Sequence, residues 1–170
     1  MDEKLQPAVN ALTSRYQAQV SEFRNDVSLL IAAEHVVEAC QLLRDEFGFD
    51  MLSSQTAVDY WPELSPRFHV IYQVYSMQSH LRLRLRVPVD ADHLSMATIE
   101  GVYPNANWYE REIWDMFGIR FEGHSDLRRI LMPHDWVGHP LRKDYPLGYE
   151  EVQFSFNYDE IDSRKPYAKE

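Results

Sequence analysis

Residues able to do chemistry concentrate between Pro133 and Pro146, in PHDWVGHPLRKDYP, which holds two histidines, two aspartates, two basic residues, a Trp, a Tyr and three prolines. With His124 and Asp126 upstream, His134, Asp135 and His139 are the side-chain types that ligate zinc and serve as a general base, the equipment of a metal-dependent hydrolase. Their spacing fits no established metal scaffold: no two histidines lie four apart on a helix, and no cysteine pair closes a shell. The plainer alternative is that these histidines cap helices and bond to loop backbone.

Other enzyme classes have less support. Cys40 is the only cysteine and falls on the apolar side of an expected helix, where an inert buried thiol belongs. No serine sits in a Gly-x-Ser-x-Gly elbow, and the six glycines are scattered singly rather than gathered into a phosphate-cradling loop. One thiol cannot hold an iron–sulfur cluster, and it points to a reducing compartment. Instead, Trp108, Trp114, Trp136, Tyr145 and the guanidinium groups of Arg128, Arg129 and Arg142 crowd one region. Such residues dominate protein interfaces, and arginine grips carboxylates with a two-pronged geometry that lysine lacks. Composition leaves two readings open there, a docking surface and an internal salt-bridged core.

The elements that must position these groups follow from periodicity. A length of 170 residues with a hydrophobic fraction of 45% suits one compact domain with a tail. No apolar run is long enough to span a bilayer and the start, MDEKLQPAVN, has no leader pattern, so the chain is expected in the cytosol or on its face of a membrane. Seventeen basic against 27 acidic residues give a net charge of −10, which disfavours nucleic acid. Glu110 to Tyr145 is nearly balanced, with seven acidic and six basic residues, and suits mutual pairing within the chain or across an interface.

A helix is expected over about Leu5–Gln19, then a strand over Val27–Ala32, then a helix with Val36, Val37, Cys40, Leu43 and Phe47 on one face and Gly48 as its stop. Phe68, Val70, Tyr72 and Val74, then Leu81, Leu83, Leu85 and Val87, alternate with other residues as in an antiparallel hairpin. Arg82, Arg84 and Arg86 then share its other face, as an anion or RNA site or as a solvated, salt-bridged surface, the latter favoured at a net charge of −10. Asn107 and Glu110 are spaced as a capping box for a helix ending at Gly118, with Arg111 and Asp115 able to pair on its exposed side. Ile119–Phe121 reads as extended, SDLRRILMP as a capped helical turn ended by Pro133, and Pro133–Pro146 as loop. Val152, Phe154, Phe156 and Tyr158 alternate as an edge strand or a strip lying along a partner, the latter favoured.

The segment EREIWDMFGIRFEGHSDLRRILMPHDWVGHPLRKDYP closely resembles the signature region of the C-type subunits of bacterial proton-pumping NADH:quinone oxidoreductase, a family that includes a peripheral-arm subunit of mitochondrial complex I. The likeness runs through Glu110, Arg111, Glu112, Asp115, Phe117, Gly118, Leu127, Arg128, Arg129, Pro133, Trp136, Gly138, Pro140, Arg142, Lys143, Asp144 and Tyr145, about a fifth of the chain. It implies an α+β fold: a two-layer domain over residues 1–122, its mixed, partly antiparallel sheet packed on helices, and a C-terminal docking loop and arm over 123–170. It further implies a non-catalytic role within a translocating enzyme, with no cofactor or metal in this chain and with FMN, iron–sulfur clusters and quinone in other subunits. The implied partners are the large D-type quinone-site subunit, with B and I types as neighbours, on the cytoplasmic side of the cell membrane. On this reading Arg128, Arg129, Trp136, Arg142, Lys143, Asp144 and Tyr145 fix the chain against partners. Subunits of ferredoxin-linked dehydrogenases and membrane-bound hydrogenases resemble this one too, and the PLGYEEVQFSFN tail favours the NADH-linked branch.

Overall fold

The computed structural model describes residues 2–146 and 158–164. The alternating strip from Val152 to Phe156 lies outside them; Tyr158 opens a short helix, Tyr158–Arg164. A 3-10 turn at Glu3–Leu5 runs into α1 (Gln6–Tyr16), with Pro7 in the first turn, where its missing N–H has no intrahelical acceptor to lose. The helix is shorter than its periodicity suggests, because Gln17 turns left-handed and β1 (Gln19–Phe23) begins. β1 pairs antiparallel with β2 (Asp26–Leu30) through Arg24 and Asn25, both at positive φ, as a tight hairpin turn demands.

After β2 and one 3-10 turn comes α2 (Val36–Phe47), stopped at Gly48, the strand-then-helix unit expected from the sequence. β3 (Met51–Asp59) has no counterpart in the periodicity, because Ser53 to Thr56 are polar and a register shift between Leu52 and Ser54 breaks the alternation. β4 (Phe68–Ser76) and β5 (Leu81–Val89) form the expected antiparallel hairpin, with Tyr72 opposite Leu85 and Gln73 opposite Arg84. The sheet order is β1-β2-β5-β4-β3, parallel only between β2 and β5. Val70, Tyr72, Val74, Leu83, Leu85 and Val87 bury one face in a single core with Val9 and Leu12 of α1 and Ala39 and Leu43 of α2. This is the two-layer α+β arrangement with a mixed sheet.

A two-stranded parallel sheet of β6 (Ser95–Ala97) and β7 (Arg120–Glu122) flanks α3 (Ala106–Phe117), which packs on β3. Ile113, Met116 and Phe117 are buried on the expected apolar face. The capping box is not formed. Asn105 is the N-cap, but its side chain donates to Leu52 O at 2.8 Å and not to the helix end, and Asn107 lies inside the helix with its amide donating to Glu100 and Ser125. Glu110 is drawn instead to the β6 side, accepting from the Ile99 N–H at 2.9 Å and from the Thr98 hydroxyl.

Candidate functional site

Asp115, Phe117, Gly118, Arg129 and Arg142 of the signature meet at the C-terminal end of α3. A helix leaves its last four carbonyls without intrahelical donors, and here each is met. Trp114 O accepts from the Gly118 N–H at 2.9 Å, Asp115 O from His139 Nδ1–H at 3.0 Å, Met116 O from the Leu141 N–H at 3.1 Å and Phe117 O from Arg142 Nε–H at 2.5 Å. The loop after Pro133 is therefore the cap of this helix, and its cation Arg142 lies where the helix dipole favours positive charge.

Gly118 makes this seat possible. Its φ of 79° lets the helix stop, and a Cβ there would come within 2.6 Å of the His139 ring and still closer to the Arg142 guanidinium. Gly138 has φ 90°, and a Cβ there would stand 2.6 Å from the Tyr145 ring. Tyr145 closes the turn by donating its hydroxyl to Val137 O at 3.2 Å.

Asp115 anchors the segment before the loop. It is 0% exposed, and its Oδ2 accepts from three successive N–H groups, Ile130 at 3.0 Å, Leu131 at 2.8 Å and Met132 at 2.9 Å. Its Oδ1 takes Arg129 Nη1–H at 2.5 Å. Arg129 also donates to Trp136 O and Gly138 O and lies over the Trp114 ring. Burial opposes ionisation of Asp115 most strongly, yet the bonds from the Met132 N–H, Arg129 and the Leu131 and Ile130 N–H groups together hold its carboxyl below the ordinary range.

Two expectations are corrected here. Arg111 and Asp115 do not pair on an exposed face; both are buried, and Arg111 donates to Arg128 O and Arg129 O, each at 3.2 Å. SDLRRILMP is not helical, because the backbone N–H groups that would build the turn converge on Asp115 instead.

A second anchor holds the loop's far end and uses residues the sequence did not single out. Arg67, at the start of β4, grips Asp59 of β3 at 2.9 and 3.0 Å and Asp144 of the loop at 2.6 and 3.0 Å. Its guanidinium also lies over the Trp61 and Phe68 rings. Asp59 takes the N–H groups of Lys143 and Trp61 as well. Burial alone would raise the Asp59 carboxyl, but Arg67 and those two N–H groups lower it to about 2. Asp59 and Arg67 carry no local signal, since their partner lies 77 residues beyond Arg67.

The remaining signature residues complete the arrangement. Glu110 and Phe117 are buried, Leu127 packs on the core, and Glu112 is exposed. Arg128 is exposed and pairs with Asp126 at 2.8 Å, while Pro133 O accepts from the Trp136 N–H. Pro140 is half-buried beside His139 and Lys143 exposes its side chain. The Trp136 indole N–H is buried with no acceptor among the described residues. The same folding turns apolar side chains outward: Ile130, Leu131, Val137, which is 67% exposed, and Leu141, with Trp108 on α3 also exposed.

The histidines do not assemble a metal centre. His124 donates to Asn107 O and accepts from the Asp126 N–H, His139 bonds the helix end, and His134 is exposed. Among the described residues no three His, Cys, Asp or Glu side chains are placed to hold a metal ion. Cys40 is buried, and burial, with the Glu110 carboxylate, pushes its thiol up to about 12. Also among the described residues, no helix is long and apolar enough to cross a membrane.

Fold and site together define a class: an α+β domain whose C-terminal strap is pinned at both ends by buried aspartates and presents apolar side chains outward. Residues 29–151 match the family described as "Respiratory-chain NADH dehydrogenase, 30 Kd subunit". The chain is 49% identical over 152 residues to the C-type subunit of NADH-quinone oxidoreductase from Roseiflexus sp. (strain RS-1), covering 88% of this chain and 87% of that one. It is 46% identical over 143 residues to the corresponding C-type subunit from Geobacter sulfurreducens, covering 82% and 88%. Among solved structures it resembles a trypsin-resistant fragment of Nqo5, with a TM-score of 0.65 and 26% identity over 73% of this chain and 99% of that one. A chain of an archaeal membrane-bound sulfane sulfur reductase shares the fold, with a TM-score of 0.72 at 22% identity, over 86% of this chain and 87% of that one. This chain belongs to the respiratory-chain NADH dehydrogenase 30 kDa subunit family.

Proposed function

We propose that the chain is a non-catalytic structural subunit in the peripheral arm of an NADH:quinone oxidoreductase, and that its pinned strap docks it to neighbouring subunits. The observation that carries this reading is the division of labour in the strap. Arg129, Arg142 and Asp144 are engaged within the chain, which fixes the backbone, and Leu131, Val137 and Leu141 project outward from it. A rigid backbone presenting apolar anchors binds at low entropic cost, since little remains to be ordered on association. In this reading Arg128, Lys143 and the exposed edge of Tyr145 form the polar rim, and the other signature residues act by shaping the strap. The partners are the D-type quinone-site subunit, with B-type and I-type subunits beside it, on the cytoplasmic side of the cell membrane. FMN, iron–sulfur clusters and quinone reside in those and other subunits, and proton translocation belongs to the whole complex.

The test is to tag the chain in its host, solubilise the membranes gently and identify what is recovered. The expected result is a set of flavin and iron–sulfur subunits with NADH-driven quinone reduction, lost in Leu131→Asp/Val137→Asp while the purified variant melts as the parent does. Recovery of the chain alone overturns the proposal, and recovery with hydrogenase or ferredoxin-linked subunits assigns it to a sister complex.

A further inference from the structure

The strap lies at one end of the domain, and the sheet has a second face that no helix of the described residues covers. On that face Ser28 of β2, Ile71 of β4, Arg84 and Arg86 of β5, Tyr60 and Phe23 line an open cavity of about 390 Å³. Two guanidinium groups face a single carboxylate, Asp26, among the hydroxyls of Ser21, Ser28, Thr56 and Tyr60 and the Gln73 amide. The Ser28 hydroxyl and Arg86 Nε–H are buried with no partner among the described residues, and Ser28 is only 6% exposed. Arg86 Nη2–H donates to the Tyr60 hydroxyl at 2.9 Å, which leaves the Tyr60 proton to be donated onward. Arg84 meets Asp26 only loosely, at 3.9 Å. Buried donors without acceptors are costly to maintain, and an acceptor-rich anion that fills the cavity removes that cost.

The rim shows what carries the anion. Phe23 is 71% exposed, and all of β1 is exposed at the sheet's outer edge, with Val20 also turned to solvent. An apolar lip and a strand edge unpaired among the described residues, beside a two-arginine cavity, fit a polypeptide that continues past the site, and not a free small anion. In a chain of net charge −10 this local positive charge selects an acidic segment.

We infer that this sheet face is a second docking site, in which Arg84, Arg86 and Ser28 receive an aspartate or glutamate carboxylate from a neighbouring polypeptide while Phe23 covers an adjoining apolar residue. The inference rests on the proposal that the chain works among partner subunits, and adds a second, chemically distinct contact to the apolar strap. The sequence alone favours a solvated, salt-bridged strand face for Arg82, Arg84 and Arg86 over an anion or RNA site. The structure separates them, because Arg82 is exposed and outside this cavity whereas Arg84 and Arg86 line it.

The test places a photo-crosslinking residue at Phe23, and separately at Leu131, in the chain expressed in its host, followed by irradiation of intact membranes and peptide mapping. The expected result is a crosslink from position 23 to one peptide bearing an Asp or Glu, lost when Arg86→Glu is added and restored when that acid is exchanged for Arg. Arg86→Gln with Ser28→Ala should raise the dissociation of the subunit during salt washing roughly tenfold or more, with the melting of the purified chain unchanged. Crosslinks from position 131 but none from position 23 overturn this inference and leave the proposed function standing. Crosslinks from neither position overturn both. A crosslink from position 23 to lipid, RNA or a peptide without an acid overturns the inference alone.

Discussion

Asp115→Asn probes the anchor at the α3 end with the least change in shape. In the parent one carboxylate meets four donors, Arg129 and the N–H groups of Ile130, Leu131 and Met132. Asparagine offers a single acceptor oxygen to those four donors and turns an NH2 group towards one side of them. Removing the charge from one side of a buried pair costs about 3–5 kcal/mol. Arg129 keeps Trp136 O and Gly138 O as acceptors, so the lower end, about 3 kcal/mol, is expected. For a chain of this size that corresponds to a fall in Tm of about 6–12 °C. Because the loss falls on the strap, trypsin cleavage at Arg128, Arg129, Arg142 and Lys143 should speed up roughly a hundredfold if opening and reclosing are fast. Thermal unfolding and timed trypsin digestion, with exposed Glu112→Gln as control, measure both quantities. A variant that melts and is cleaved like the control refutes the reasoning.

Arg67→Ala leaves Asp59 buried and unpaired and frees Asp144, so it should destabilise by about 3–5 kcal/mol in denaturant titration. Gly118→Ala should cost about 1–3 kcal/mol, since a Cβ at positive φ is strained and would press on His139 and Arg142. In acid, Asp59 sets the sign: lowered to about 2 in the folded state, it contributes about 2–3 kcal/mol that is present above the unfolded carboxyl value and lost as pH falls towards 2. Asp115 acts in the same direction, Glu110, raised by burial, in the opposite one, and Asp59→Asn should flatten the acid limb of a Tm-against-pH curve. Cys40 should resist alkylation in the native chain and react once guanidinium unfolds it, as thiol counting will show.

The sequence by itself determined the elements whose residues repeat in register with their own backbone. The α2 face and the β4–β5 hairpin are legible because burial on one side imposes a period on neighbouring residues, and the signature segment identifies the family by its length and composition. β3 was not legible, since four consecutive polar residues and a bulge erase its period. What only the tertiary structure decided is the direction in which each charged side chain points. Arg67 and Asp144 are far apart in sequence and meet because the strap ends where β4 begins. Asp115 faces the strap instead of Arg111 because three backbone N–H groups and a guanidinium satisfy a buried carboxylate better than one neighbour on a wet helix face. Local patterns record what a residue's environment must be like, and long-range folding alone decides which distant group supplies it.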